Sequence, residues 1–341
     1  MARTVQNITR GIQPHFRTRL IEVDAEETPA FSMLPKGEQL RNPIAQHPID
    51  NKESASKAGK ADNVPTQGAV TENSYRLLKS WNHWLDEPVS AGKKVQNLVD
   101  QAGVGRNQQY GRQVVKKMRA IKTAADQIIC DDTDMRAEGT NGKGSETRGL
   151  LKWAQATAQD VEPVDELYRT PAGQISAVNF DVWFEDTFQG LINTQFSETG
   201  RVGKFTALAG IFLKQRVGNW SVIDEGFSAD DSYIRRFNGD ASTEKKALNS
   251  IVNVLMCDGG KVEMHLSRNI GWTRSPSAKG TYTDYSLIGW HAGCAELRFG
   301  WGPDHERLPN DGAGMKGHID MDFAVCADPT GLIKYVPAAL S

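Results

Sequence analysis

The sequence predicts an α+β fold, on three observations. The stretch from Asn107 to Asp131 repeats its apolar residues with the rhythm of one long helix. The C-terminal third alternates as strands do, most clearly at Ile319, Met321, Phe323 and Val325. Between them and the N-terminus lies a polar segment too poor in large apolar side chains to build a core of its own. At 341 residues the chain exceeds the size at which a single core usually stops growing, so two lobes are expected.

Residues 1–42 read as an arm with one ordered kernel. Thr28 as cap and Pro29 at the first helical position start a short helix carrying Phe31, Met33 and Leu34, which Lys36-Gly37 closes. From Pro43 to Tyr75 only Ile44, Ile49, Val64, Val70 and Tyr75 are large and apolar. Such a segment is either disordered or a long two-stranded loop lying on a neighbouring subunit, where its ordering would be coupled to assembly. Leu77, Leu78, Trp81, Trp84 and Leu85 are expected to pin its base.

The long helix follows, with Asn107 as N-cap. Tyr110, Val114, Met118, Ile121, Ala125 and Ile128 share one stripe, and Arg112, Lys116, Lys117, Arg119 and Lys122 turn mostly away. At 1.5 Å per residue it would run about 37 Å. It stops at the acidic run Asp131, Asp132, Asp134. Gly139 to Ser145 (GTNGKGS) then resembles the phosphate loop of folylpolyglutamate-synthase-type ligases. A working phosphate loop joins a buried strand to a helix N-terminus, whereas this one follows a helix and repelling carboxylates. It reads as a connector, after which Glu146 to Trp153 re-enters the core.

A second lobe begins near Thr170. Asn179 can cap a helix with Phe180, Phe184, Phe188 and Leu191 on one face. Phe205–Gly210 is a buried strand, and Ile211–Trp220 a short helix. Ser250–Met256, the turn at Cys257–Gly260 and the alternating Val262, Met264 and Leu266 form a hairpin. Strands are expected again at Ala295–Phe299, Ile319–Val325 and, after a turn at Asp328–Gly331, Leu332–Val336.

The chemistry-bearing residues form no recognisable site. The apolar fraction of 39%, charged fraction of 24% and net charge of −2 suit a soluble protein that coats neither DNA nor a membrane, and the basic residues are not interleaved with aromatics in a nucleic-acid-binding pattern. No signal-peptide pattern and no eighteen-residue apolar stretch occurs, so folding in the cytoplasm without a membrane anchor is expected. Cys130, Cys257, Cys294 and Cys326 lie far apart and read as small buried hydrophobes. The seven histidines show no metal-ligand spacing. His318, Asp320 and Asp322 would share a strand face, read here as solvated rather than metal-binding. No nucleophile or dinucleotide motif occurs. The sequence thus assigns no catalytic, cofactor-binding or metal-ligating residue, and predicts a protein that is not an enzyme.

The order of parts resembles the major capsid proteins of tailed bacteriophages, the Johnson or Hong Kong ninety-seven fold. The resemblance is carried by Glu27-Thr28-Pro29-Ala30-Phe31 with Leu34-Pro35-Lys36-Gly37, by Val114–Lys122 with Asp126–Ile129, by Arg148-Gly149-Leu150 with Trp153, and by the strand pair Val252–Gly259 and Lys261–Arg268. His47-Pro48 stands where the family pattern has a Trp.

The resemblance implies an N-terminal arm (1–42) and an extended β-loop (43–80). It implies a peripheral domain with a spine helix (81–172 and 285–341, helix 107–131) and an axial α/β domain (173–284). It also implies a structural subunit that self-assembles as hexamers and pentamers into an icosahedral head around double-stranded DNA. Folding and assembly would occur in the host cytoplasm and the product would be the virion capsid, with scaffold, portal and decoration proteins as further partners and no cofactor. Gly103, Gly105 and Gly111 would let the spine helix flex as the shell expands. Some relatives crosslink a loop lysine to an asparagine, but nothing distinguishes Lys52, Lys57 or Lys60 for that role, so no crosslink is assigned. The alternatives are an encapsulin-type compartment shell and, more remotely, an ATP-dependent ligase on the GTNGKGS loop.

Overall fold

The computed structural model describes residues 28–49, 76–94, 109–139, 143–154, 161–162, 174–176, 190, 192–193, 195–197, 199–200, 203–211, 213–214, 217, 254–257, 259–270, 286–309, 312 and 314–336. The described strands are β1 (Ile44–Ile49), β2 (Arg76–Trp81), β3 (His83–Gly92), β4 (Val161–Glu162), β5 (Gln174–Ser176) and β6 (Gly203–Ala209). They continue with β7 (Val254–Cys257), β8 (Gly260–Leu266), β9 (Leu287–His291), β10 (Ala295–Leu308), β11 (Gly314–Ala327) and β12 (Leu332–Val336). The helices are α1 (Pro29–Met33), α2 (Gln109–Ile129) and α3 (Leu150–Trp153).

Three sheets result, ordered β1-β2-β4, β10-β11-β3 and β5-β12-β9-β6-β8-β7. β1 and β2 pair antiparallel from Ile44 opposite Trp81 to Ile49 opposite Arg76, which joins the two ends of the polar segment. In the third sheet β6 runs parallel to β8 and antiparallel to β9, while β12 lies between β5 and β9. Its core is Phe205, Ala207, Ala209, Val262, Met264, Leu287, Ile333 and Tyr335, with Ile192, Leu213, Val217 and Leu255 packed on them.

Two compact units partition the chain. One comprises residues 1–26, 86–121 and 303–320, the other 27–85, 122–302 and 321–341. In the first, the Tyr110 hydroxyl lies 2.9 Å from His305 Nε2 and Lys117 donates to Glu87 at 2.6 Å. Gly317 has no room for a Cβ, which would strike the Tyr110 hydroxyl and the Glu306 carbonyl, so this crossing requires glycine. The sheets β1-β2-β4 and β5-β12-β9-β6-β8-β7 lie wholly within the second unit.

Several expectations change. The Thr28 side chain makes no cap hydrogen bond; only its carbonyl is used, by the Ser32 amide and hydroxyl. Ala30 and Leu34, rather than Phe31 and Met33, are the buried residues of the kernel. On α2, Tyr110, Ile121, Ala125 and Ile129 are buried, whereas Val114, Met118 and Ile128 are only half-buried. Trp84 is 61% exposed and does not join Leu78 in pinning the loop base. On β8, Val262 and Met264 are buried but Leu266, at the strand end, is exposed. β11 is buried on both faces beyond Asp320, so Asp322 is a core residue and not part of a solvated face. Asn107, Gly103, Gly105, residues 50–75 and the Asn179–Leu191 helix lie outside the described residues, apart from Gly190.

Candidate functional site

The region with the densest polar chemistry lies where the C-terminal end of α2 meets the segment after the GTNGKGS loop. Gly149 fits there because a Cβ would collide with the Asp131 carbonyl, and its amide donates to the Thr133 carbonyl at 3.1 Å. α3 follows at once, with Leu150, Leu151 and Trp153 buried. Trp153 Nε1 donates to the Val325 carbonyl at 3.2 Å.

The acidic run has a structural role here that sequence reading missed. Arg148 is 1% exposed, donates to Asp134 at 2.9 Å and stacks 4.9 Å above the Trp153 ring. Lys334 of β12, equally buried, donates to the Leu151 carbonyl at 2.9 Å and lies 3.5 Å from Asp132. Asp131 turns inward and accepts from the Asp132 amide and the Thr133 hydroxyl. A buried cation without a counter-charge would cost several kcal/mol, so the carboxylates that end α2 are what allow Arg148 and Lys334 inside. The detectable signal was an acidic run followed by an arginine just ahead of the apolar Leu150-Leu151 pair.

A second network fastens the loop base. Ser80 and Thr147 hydroxyls meet at 3.0 Å, and Thr147 accepts from the Val325 amide at 2.9 Å. Asn82 donates to Asp322 at 2.8 Å and accepts from Ser145 at 2.9 Å. Ala45 of β1 packs on Ala324 and Cys326 of β11, with Leu40 alongside. Burial raises the Asp322 carboxyl above its ordinary value, against the lowering effect of Asn82. Burial likewise pushes the Cys326 thiol up to about 12. His83 stacks on Phe323 with centroids 6.0 Å apart, and burial lowers its pKa, opposed by Glu146 and reinforced by Arg136.

A third anchor ties the N-terminal kernel to α2. The Asp126 carboxylate, fully buried, accepts from the Phe31 amide at 2.8 Å and from Asn269 Nδ2 at 2.6 Å. Phe31 is the third residue of α1, so Asp126 supplies from another helix the cap that Thr28 does not. Burial raises its pKa, while Asn269 and the Phe31 and Ala30 amides lower it.

The sequence had assigned no catalytic, cofactor or metal residue. His318 lies 3.6 Å from Glu306, while Asp322 is bonded to Asn82, so His318, Asp320 and Asp322 do not converge. Among the described residues no group of three or more His, Cys, Asp or Glu could hold a metal. The described ends of the GTNGKGS loop close a β-bridge between Arg136 and Glu146, and the next helix, α3, has four residues. This is not the strand-to-helix turn of a phosphate site. No described helix is long and apolar enough to cross a membrane. Exposed apolar side chains include Met256 on β7 and the Trp84–Trp301 pair, whose rings meet edge to face at 6.2 Å.

Comparison with known proteins places this architecture. The chain superposes on the capsid structure of the cyanophage P-SCSP1u with a TM-score of 0.58 at 13% identity, covering 99% of this chain and 96% of that one. The Mycobacterium phage Adephagia structure gives 0.59 at 13% identity, with 100% of both chains covered. The capsid of an empty GTA particle gives 0.57 at 12% identity, with 96% of each covered. No curated protein sequence matches. At these identities the superpositions establish the fold, a phage capsid fold, and the family follows from the sequence itself. Residues 3–329 match the SU10 major capsid protein family, and the chain belongs to that family as a structural subunit of a capsid shell.

Proposed function

We propose that the chain self-assembles as hexamers and pentamers into an icosahedral head that encloses double-stranded DNA. The β1–β2 pair carries this reading. It joins both ends of residues 50–75 on a base fixed to β11, so a segment with too few apolar residues to fold alone is presented from a rigid platform. Laid across a neighbour, that segment links subunits through many weak contacts acting together. Residues 43–80 act as the extended loop, 1–42 as the arm, 81–172 and 285–341 as the peripheral domain and 173–284 as the axial domain. Assembly takes place in the host cytoplasm, and no step requires catalysis. Scaffold and portal proteins are expected partners.

Electron microscopy of the expressed full-length protein tests this. Closed shells or ring-shaped capsomers are expected, and deletion of residues 51–63 should leave capsomers that do not close. Monodisperse monomers at high concentration, or shells unaffected by the deletion, would overturn the reading. An encapsulin-type compartment would give shells loaded with a protein cargo when purified from its native host.

A further inference from the structure

Two tryptophans meet in the open on the sheet β10-β11-β3. Trp84 of β3 is 61% exposed and Trp301 of β10 is 44% exposed, with the two rings packed edge to face. Tryptophan has a large apolar surface to bury, and two left side by side in water forgo most of that gain.

A buried carboxylate lies at the foot of the pair. Asn82, two residues before Trp84, donates to Asp322 Oδ1 at 2.8 Å. Gly300, directly before Trp301, lies under Asp322 Oδ2, and a Cβ there would collide with that oxygen. Asp322 is thus held between the two segments that carry the rings. It is buried, and among the described residues no cation pairs with it. Burial in that state is what raises its carboxyl, and an ammonium or guanidinium brought alongside would restore its charge. The same strand shows what its aromatic residues accept. Lys36 Nζ lies 5.7 Å from the ring centroid of Phe299, two residues before Trp301. A tryptophan face attracts a cation more strongly than a phenylalanine face does.

An apolar side chain docking here would cover the rings and leave the carboxylate unanswered. A cation answers both. The chain is a structural subunit of a capsid shell, so the surface set against this one in a shell is that of another copy. We propose that Trp84, Trp301 and Asp322 form a socket for a lysine or arginine side chain of a second copy of this chain. The cation lies against an exposed ring face, with Asp322 as its counter-charge. This rests on the reading that copies of the chain assemble with one another. One such contact is weak, and a shell repeats it in every subunit.

The test uses purified full-length protein, in which a second copy is the only partner present. Light scattering gives the protein concentration at which shells appear, and microscopy identifies them. Trp84→Phe, which keeps a ring face, should assemble like wild type. Trp84→Leu, apolar but without a ring, should raise that concentration at least about tenfold. Asp322→Asn removes the charge, keeps an acceptor for Asn82 and should do the same. Trp84→Leu/Asp322→Asn should be no worse than the worse single variant, because both groups serve one cation. Circular dichroism melts of dissociated subunits check folding. Trp84 is exposed enough for both of its variants to fold, so they decide the matter should Asp322→Asn not fold. Trp84→Leu shells at the wild-type concentration would overturn the proposal. So would equal losses in Trp84→Phe and Trp84→Leu, since the site would then take an apolar side chain by shape. Additive losses in the double variant would also overturn it, by separating Asp322 from the rings. Wild-type protein that forms no shells defeats the reading beneath, whereas shells indifferent to all three variants defeat this proposal alone.

Discussion

Asp126 caps a helix to which it does not belong. Short-range pattern reading places the cap of α1 on Thr28, because capping usually comes from the residue just before the helix. The actual acceptor lies 95 positions away, a separation no local pattern reveals. Two consequences are measurable. Asp126→Ala strands the Phe31 amide and should cost about 1–3 kcal/mol in urea unfolding. Asp126→Asn keeps an acceptor for Phe31, and Asn269 can turn its amide to match, so that variant should fold. Because burial raises the Asp126 pKa in the folded state, the native protein holds this proton more tightly than the unfolded chain. Its contribution to stability is therefore present below the unfolded carboxylate value and is lost as pH rises through the folded value. The stability of wild type minus that of Asp126→Asn should fall as pH goes from about 4 to 8. The difference cancels His83, whose lowered pKa acts with the opposite sign. A difference that rises with pH would refute the assignment.

At the scale of elements, α2 shows what periodicity can and cannot deliver. Its C-terminal end was legible to within two residues, since the expected stop at Asp131 became Ile129, while the expected cap Asn107 lies outside the described residues. Its buried centre was not, because six apolar residues fit the stripe equally well and only tertiary contacts rank them. Ile121 is buried and Met118 half-buried, so Ile121→Asp should abolish soluble folding while Met118→Asp should leave some folded protein in a sedimentation assay. Glycines were legible as turns and not as points of close approach. Gly149→Ala must displace the α2 terminus and should lower stability by several kcal/mol. Gly111→Ala, exposed on α2 with open space around it, should raise it by about 0.5–1 kcal/mol. Thermal melts of the two should move in opposite directions.

For the whole molecule, strand positions were largely legible because alternation is local, while their partners were not. Nothing in the linear pattern indicates that β9 and β12 return to the sheet of β6–β8, or that β6 and β8 run parallel. The same holds for the carboxylates of the acidic run, which read as a helix terminator until Arg148 and Lys334 arrive from elsewhere in the chain. The GTNGKGS loop is the reverse case, a strong local motif in the wrong surroundings. Lys143→Ala should assemble in the same yield as wild type, and calorimetric titration of wild type with magnesium-ATP should give no saturable heat. Micromolar binding lost in Lys143→Ala would reinstate a nucleotide site.

The place of β12 has a consequence for how subunits are made. This strand is synthesised after every other described strand, yet it lies inside the six-stranded sheet, as the only described neighbour joining β5 to β9. A nascent chain that stops before Leu332 also lacks Lys334, and so leaves Asp132 without its buried cation. Long-range closure of this kind waits for the ribosome to finish. A shell of many identical copies is only as sound as its worst subunit, and here the topology itself acts as a completeness check, withholding a finished sheet from any translation product that ends early.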